Sequence, residues 1–136
     1  MLEQLPAVRI VATPEAIDGA VLPPDTIPMR SAPDELLVVG VDDPQSVSVD
    51  DPHAIVTDDT GWLGTWVDPH DAAAFLRHEC AWPVPTARPW FAQGMIAGLP
   101  ARVWLEEARV LFVVSHVRGV DFADRLRPFL NDGATA

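Results

Sequence analysis

The sequence contains no lysine and no tyrosine, and Cys80 is the single cysteine among its 136 residues. One cysteine excludes an internal disulfide framework and fits a reducing compartment. No apolar run approaches the roughly 20 residues that span a bilayer. The first residues show neither a basic segment nor a continuous apolar one, so we expect a cytoplasmic protein without a signal peptide.

Positive charge is also scarce, because 20 acidic residues stand against nine arginines and the net charge is −11. Residues 1–76 hold 14 acids and two arginines, a net charge of −12, whereas residues 77–136 hold six acids and seven arginines, a net charge of +1. Such an acidic surface repels phosphate backbones and anionic lipids, which disfavours nucleic acid and membranes as partners. It favours solubility, or docking onto a basic face of another protein.

Proline density divides the chain into three predicted segments. Residues 1–32 hold five prolines without sustained periodicity and are predicted to form a Pro-rich arm or loop. Residues 33–131 are predicted to form one compact α+β domain. Residues 132–136 are expected to be a frayed C-terminal tail.

Periodicity within the compact segment predicts strands followed by a helix, a hairpin and a second helix. Apolar runs at residues 36–39, 101–105 and 110–114 are typical of strands. Asp68 followed by Pro69 is typical of a helix start, and Pro128 is expected to end or kink the second helix. The expected fold is one mostly antiparallel sheet with two helices packed on it.

Three acidic pairs recur every eight residues, at residues 42–43, 50–51 and 58–59. The first two pairs precede proline, which favours an extended or turn conformation of the preceding aspartate. We therefore interpret the pairs as acidic turns between short strands.

Residues that carry chemistry do not form a self-contained active site in this sequence. His53 and His70 lie beside aspartates, but the spacing of common zinc and calcium sites is missing. His78 and Cys80 are two residues apart on a predicted helix, so their side chains do not face each other. Ser115 is interpreted as a cap of the final helix. We therefore predict no catalytic, cofactor-binding or metal-binding residue.

Tryptophans around the Pro-rich loop at residues 82–90 are the most distinctive feature. We expect core packing to account for Trp66 and Trp104. Trp82 and Trp90 stand among prolines, where an aromatic side chain is often only partly covered. Because tryptophan and arginine are typical anchors of protein interfaces, Trp82, Arg88 and Trp90 are the predicted interface residues.

The order of short motifs resembles the γ subunit of heterotetrameric sarcosine oxidase, a relative of the aminomethyltransferase (glycine-cleavage T-protein) fold. The resemblance covers about residues 30–130, with Asp68 where the family has glycine and Thr60 where it has serine. The matching segments are Pro-Asp-Glu-Leu-Leu at residues 33–37, Asp-Asp-Thr at 58–60, Val-Asp-Pro-His-Asp-Ala at 67–72, His-Glu-Cys-Ala-Trp-Pro at 78–83, residues 93–103 and residues 112–114.

The resemblance implies a non-catalytic accessory subunit of a multi-subunit, flavin-dependent amine oxidoreductase. Larger oxidoreductase subunits would be its partners in a hetero-oligomer, and FAD, FMN or tetrahydrofolate would be bound by those subunits rather than by this chain. No functional residue carries over. Two alternatives stay open: a tetrahydrofolate-binding fragment of the aminomethyltransferase type, and a free-standing protein-binding or regulatory domain.

Overall fold

A computed structural model describes residues 1–131 as nine strands and three α-helices arranged in two sheets. The strands are β1 (Glu3–Gln4), β2 (Ala7–Val11), β3 (Ile27–Ala32), β4 (Glu35–Val39), β5 (Ile55–Asp58), β6 (Trp62–Val67), β7 (Trp90–Ile96), β8 (Leu99–Leu105) and β9 (Val110–Ser115). The helices are α1 (Pro14–Asp18), α2 (Pro69–Glu79) and α3 (Gly119–Leu126).

The chain divides into two units. The four-stranded unit comprises Leu5–Trp62, and the five-stranded unit comprises Met1–Gln4 together with the chain from Leu63 onward. The α+β class and the antiparallel pairing are confirmed. The structure differs from the expected single sheet in having two, and the predicted domain at residues 33–131 is split between the units. The predicted tail at residues 132–136 lies outside the described residues.

The four-stranded unit has the strand order β3-β4-β2-β5. β2 pairs antiparallel with β4 on one side and with β5 on the other, so it lies inside the sheet. Val8 and Ile10 on β2 are fully buried while Arg9 between them is exposed, as alternation in a strand requires. The prediction of an arm at residues 1–32 is therefore wrong.

The prolines of residues 1–32 occupy places that tolerate a missing N–H. Pro14 is at the first turn of α1, behind the cap residue Thr13, whose Oγ1 accepts a hydrogen bond from the Ala16 N–H at 3.2 Å. Pro28 lies on β3, an edge strand, where proline is permitted. High proline content here marks the ends and edges of elements rather than an unstructured segment.

The five-stranded unit has the strand order β1-β6-β9-β8-β7. Its helix α2 begins as predicted, because the Asp68 carboxylate accepts a hydrogen bond from the His70 N–H at 2.8 Å and Pro69 follows at the first helical position. The predicted hairpin is also confirmed, since β8 and β9 pair antiparallel. Helix α3 ends at Leu126 and continues as a 3₁₀ turn that contains Pro128.

Helices α2 and α3 pack on this sheet through phenylalanine side chains. The ring of Phe75 on α2 lies edge-on to Phe112 on β9 and to Phe122 on α3, with centroid distances of 5.4 and 5.7 Å. All three side chains are fully buried. Such contacts add about 0.5–1.5 kcal/mol per pair to the hydrophobic burial. None of the helices among residues 1–131 is long and apolar enough to cross a membrane.

Candidate functional site

A cavity of about 480 Å³ opens beside α2 in the five-stranded unit. Three stretches of chain form its walls: α2, the loop that follows α2, and the end of the β8–β9 hairpin. The lining residues on α2 and its end are Pro69, Ala72, Ala73, Leu76, Arg77 and Cys80, those on the loop are Trp82, Val84, Pro85, Thr86 and Arg88, and those on the hairpin are Leu105, Glu106, Glu107 and Val110.

Trp82 is held in the cavity wall by two contacts with β7. Its indole N–H donates a hydrogen bond of 2.9 Å to the carbonyl oxygen of Met95. Its ring covers Gly94, where a Cβ atom would lie only 2.6 Å from the indole nitrogen. Glycine at position 94 is therefore required for the close approach of the ring. The Cys80 thiol points back to the same residue and donates to the Trp82 carbonyl at 3.3 Å.

Arg88 stabilises the loop from within. Its Nη1 donates hydrogen bonds to the carbonyl oxygens of Pro85 at 2.7 Å and Ala87 at 2.9 Å, and the following peptide bond to Pro89 is cis. Neighbouring prolines further restrict the backbone, because each fixes its own φ. The prolines and the Arg88 hydrogen bonds therefore stiffen the loop. Arg88 is also one of the residues that line the cavity.

Trp90 begins β7 opposite Leu105, a residue of the cavity lining. Half of its surface, 50%, is exposed to solvent. Trp90 is not itself a lining residue, whereas Trp82 and Arg88 are. The structure therefore places Trp82 and Arg88 in one wall of the cavity. Trp90, the third predicted interface residue, is exposed at the start of β7, just after the loop.

The hairpin end of the cavity carries a fixed ion pair. Glu106 accepts hydrogen bonds from Arg109 Nε at 3.0 Å and from the Trp104 indole N–H at 2.8 Å. Burial alone would raise the pKa of Glu106, but these two hydrogen bonds and the charge of Arg109 together hold it below its ordinary value. Arg109 also lies over the ring of Trp66, 3.6 Å from its centre, so Trp66 is stacked at the surface and not in the core as expected.

Two charged lining residues were not predicted from the sequence. Arg77 on α2 and Glu107 in the hairpin turn line the cavity, and within residues 1–131 neither side chain has a hydrogen-bond or ion-pair partner. The sequence offered only a weak signal for Arg77 as a cavity residue. Ala73 and Arg77 are one helical turn apart on the exposed side of α2, which is typical of any solvated helix face. The hairpin residues that line the same cavity come from a distant part of the sequence.

The other residues considered from the sequence, the histidines, Cys80 and Ser115, do not come together in one site. The described part of the chain contains no group of three or more His, Cys, Asp or Glu side chains placed to hold a metal ion. Cys80 follows the last residue of α2 and lines the cavity, while the ring of His78 lies against Phe129, with 5.6 Å between the ring centres. The expectation that Ser115 caps α3 is wrong. A 3₁₀ turn at His116–Arg118 separates Ser115 from α3, and the Ser115 side chain makes no capping hydrogen bond.

We compared the chain with known proteins. No family model matches it, and no curated protein matches it either.

Proposed function

We propose that this chain is a non-catalytic accessory subunit of a multi-subunit, flavin-dependent amine oxidoreductase of the sarcosine oxidase type. In this proposal the chain contacts the larger subunits through the segment that contains Trp82, Arg88 and Trp90. The larger subunits bind the flavin, and this chain contributes a surface rather than a reacting group. The free thiol of Cys80 fits the reducing cytoplasm in which we place the complex.

The exposure of Trp90 is the observation that carries the proposal. A tryptophan that is 50% exposed keeps a large apolar area in water, at a cost that burial in an interface would remove. It stands beside a stiff, proline-bounded loop, so docking would order few additional side chains. Tryptophan and arginine, here two residues apart in sequence, are typical of the few interface residues that dominate binding energy.

The choice of partner in this proposal comes from the motif resemblance. The segments that carry it include the start of β4 and the Asp68-Pro69 start of α2, and both lie at well-formed element boundaries. The acidic surface supports a partner with a basic face, since complementary charge speeds encounter and disfavours other partners.

Co-expression tests the proposal. The chain would be produced with sarcosine-oxidase-type large subunits from the same genome, with an affinity tag on the chain alone. We expect an equimolar complex that co-elutes in size exclusion and carries flavin absorbance. Elution of the chain apart from every large subunit, with the subunits themselves folded and flavin-loaded, would refute it.

A further inference from the structure

The cavity beside α2 combines an apolar interior with charges at its walls. Leu76, Leu105 and Val110 are buried residues of its lining, and the half-buried Trp82 and Val84 pack against the same core. Its volume of about 480 Å³ lies within the range of about 300–1,000 Å³ that small-molecule sites occupy. This space is large enough for a compact ligand with an apolar body.

The cavity lining contains more arginine N–H donors without a partner than carboxylates that could pair with them. Within residues 1–131, Arg77 has no partner, and Arg88 uses only Nη1 for the loop carbonyls. On the acidic side, Glu106 is already neutralised by Arg109. Two guanidinium groups therefore stand against one uncommitted carboxylate, that of Glu107, in a protein whose net charge is −11.

The walls are fixed before any ligand arrives. The Trp82 ring is held by the Met95 carbonyl and by its packing on Gly94, and the loop backbone is stiffened by its prolines and by Arg88. A ligand in this cavity would immobilise the Arg77 side chain and little else. Preorganisation of this kind lowers the entropic cost of binding.

We propose that this cavity binds a small organic anion with an apolar body. A carboxylate or sulfonate group of the ligand pairs with Arg77 and Arg88, because guanidinium donors match the geometry of planar oxyanions. The body of the ligand lies against Trp82, Leu76 and Val110. All of the residues that line the site belong to this chain, so it can be tested without partner subunits, although Trp82 and Arg88 also belong to the proposed contact segment.

Fluorescence titration with anilinonaphthalene sulfonate, an aromatic anion, tests the proposal on the full chain. We expect saturable binding at one site. Arg77→Gln removes a charge that has no partner within residues 1–131, so the fold should persist, and the affinity should fall about tenfold or more, as for other charged hydrogen bonds. N-phenylnaphthylamine, which has a similar aromatic body without the charge, should bind at least tenfold more weakly than the anion.

Two further variants separate cavity binding from adsorption to the surface. Ala73→Trp on the exposed side of α2 fills the cavity without altering any charge and should abolish saturable binding. Arg118→Gln removes an exposed charge that is not part of the lining and should leave the affinity unchanged. Equal affinity in Arg77→Gln and the unmodified chain would overturn the proposal. So would unchanged binding in Ala73→Trp, or equally tight binding of the uncharged probe.

Discussion

The second aspartate of each acidic pair has a structural role that, within residues 1–131, the first does not share. Asp43, Asp51 and Asp59 each accept a hydrogen bond from the backbone N–H two residues later, at 2.9, 2.9 and 3.1 Å. This is the geometry of an aspartate turn. The regular spacing of the pairs therefore reflects repeated turn chemistry, with the first aspartate of each pair left to solvation.

Asp51 should matter for stability while its neighbour Asp50 should not. Its carboxylate accepts backbone hydrogen bonds from His53 and, across the unit, from Thr13 at 3.1 Å. We expect Asp51→Ala to lower the melting temperature by a few degrees at neutral pH, because two N–H groups lose their acceptor. Asp50→Ala is the matched control and should melt like the unmodified chain.

The effect of Asp51 should depend on pH. The backbone hydrogen bonds from His53 and then Thr13 hold the pKa of Asp51 below its ordinary value. A carboxyl group whose pKa is depressed by folding stabilises the protein above its unfolded pKa, and that contribution is lost as the pH falls through the folded pKa. The difference in melting temperature between Asp51→Ala and the unmodified chain should therefore shrink in acid. A difference that is constant from neutral pH into acid would contradict this account.

Gly94 limits how Trp82 can be placed. A Cβ at position 94 would lie 2.6 Å from the indole nitrogen, so in Gly94→Ala the ring or the strand must shift, and we expect its hydrogen bond to Met95 to be weakened. We expect a loss of about 1–3 kcal/mol in the free energy of unfolding, measured by urea denaturation. Gly19→Ala is the control, because its Cβ would come no closer than 3.7 Å to a neighbouring atom. Similar losses in the two variants would show that Trp82 is not packed as described.

At the scale of elements, local signals predicted helix α2 well. The cap and proline at its start are adjacent in sequence, and Ala72, Phe75 and Leu76 form the buried stripe that the helical period requires. These features depend on neighbours within one or two turns. They could therefore be predicted without knowledge of the fold.

The Asp68 cap should be measurable on its own. Asp68→Ala removes the acceptor of the His70 N–H and should cost about 1 kcal/mol in the free energy of unfolding. Asp68→Asn, which keeps an oxygen acceptor, should recover most of that loss. An alanine variant as stable as the unmodified chain would mean that the cap is dispensable.

Elements that depend on distant pairing were the ones that sequence reasoning missed. Residues 8–11 can be read as a short strand from their sequence alone, but β2 acquires its place in a sheet from β4 and β5, which are more than 20 residues away. The cavity has the same origin. The tryptophans and prolines of the loop sequence identified Trp82 and Arg88 as interface candidates. That Arg77 on α2 and Glu107 in the hairpin turn line the same cavity could be seen only in the folded structure.

At the scale of the whole molecule, charge is unevenly divided between the two units. Residues 5–62, the four-stranded unit, hold 11 acids and two arginines, a net charge of −9, whereas the five-stranded unit holds nine acids and seven arginines, a net charge of −2. The predicted interface residues and the cavity all belong to the nearly neutral unit. We infer that the acidic unit contributes to steering and solubility, and that the five-stranded unit provides the contact surface.

The most direct test of the central claim is the dissociation constant of the chain for the isolated large subunits, measured by calorimetry. We expect tight binding that Trp90→Ala weakens by about 30-fold or more, the equivalent of about 2 kcal/mol for a residue that anchors an interface. Val120→Ala, which alters another exposed apolar residue on α3, should bind like the unmodified chain. Absence of binding by the unmodified chain, or equal binding by the Trp90 variant, would contradict the account.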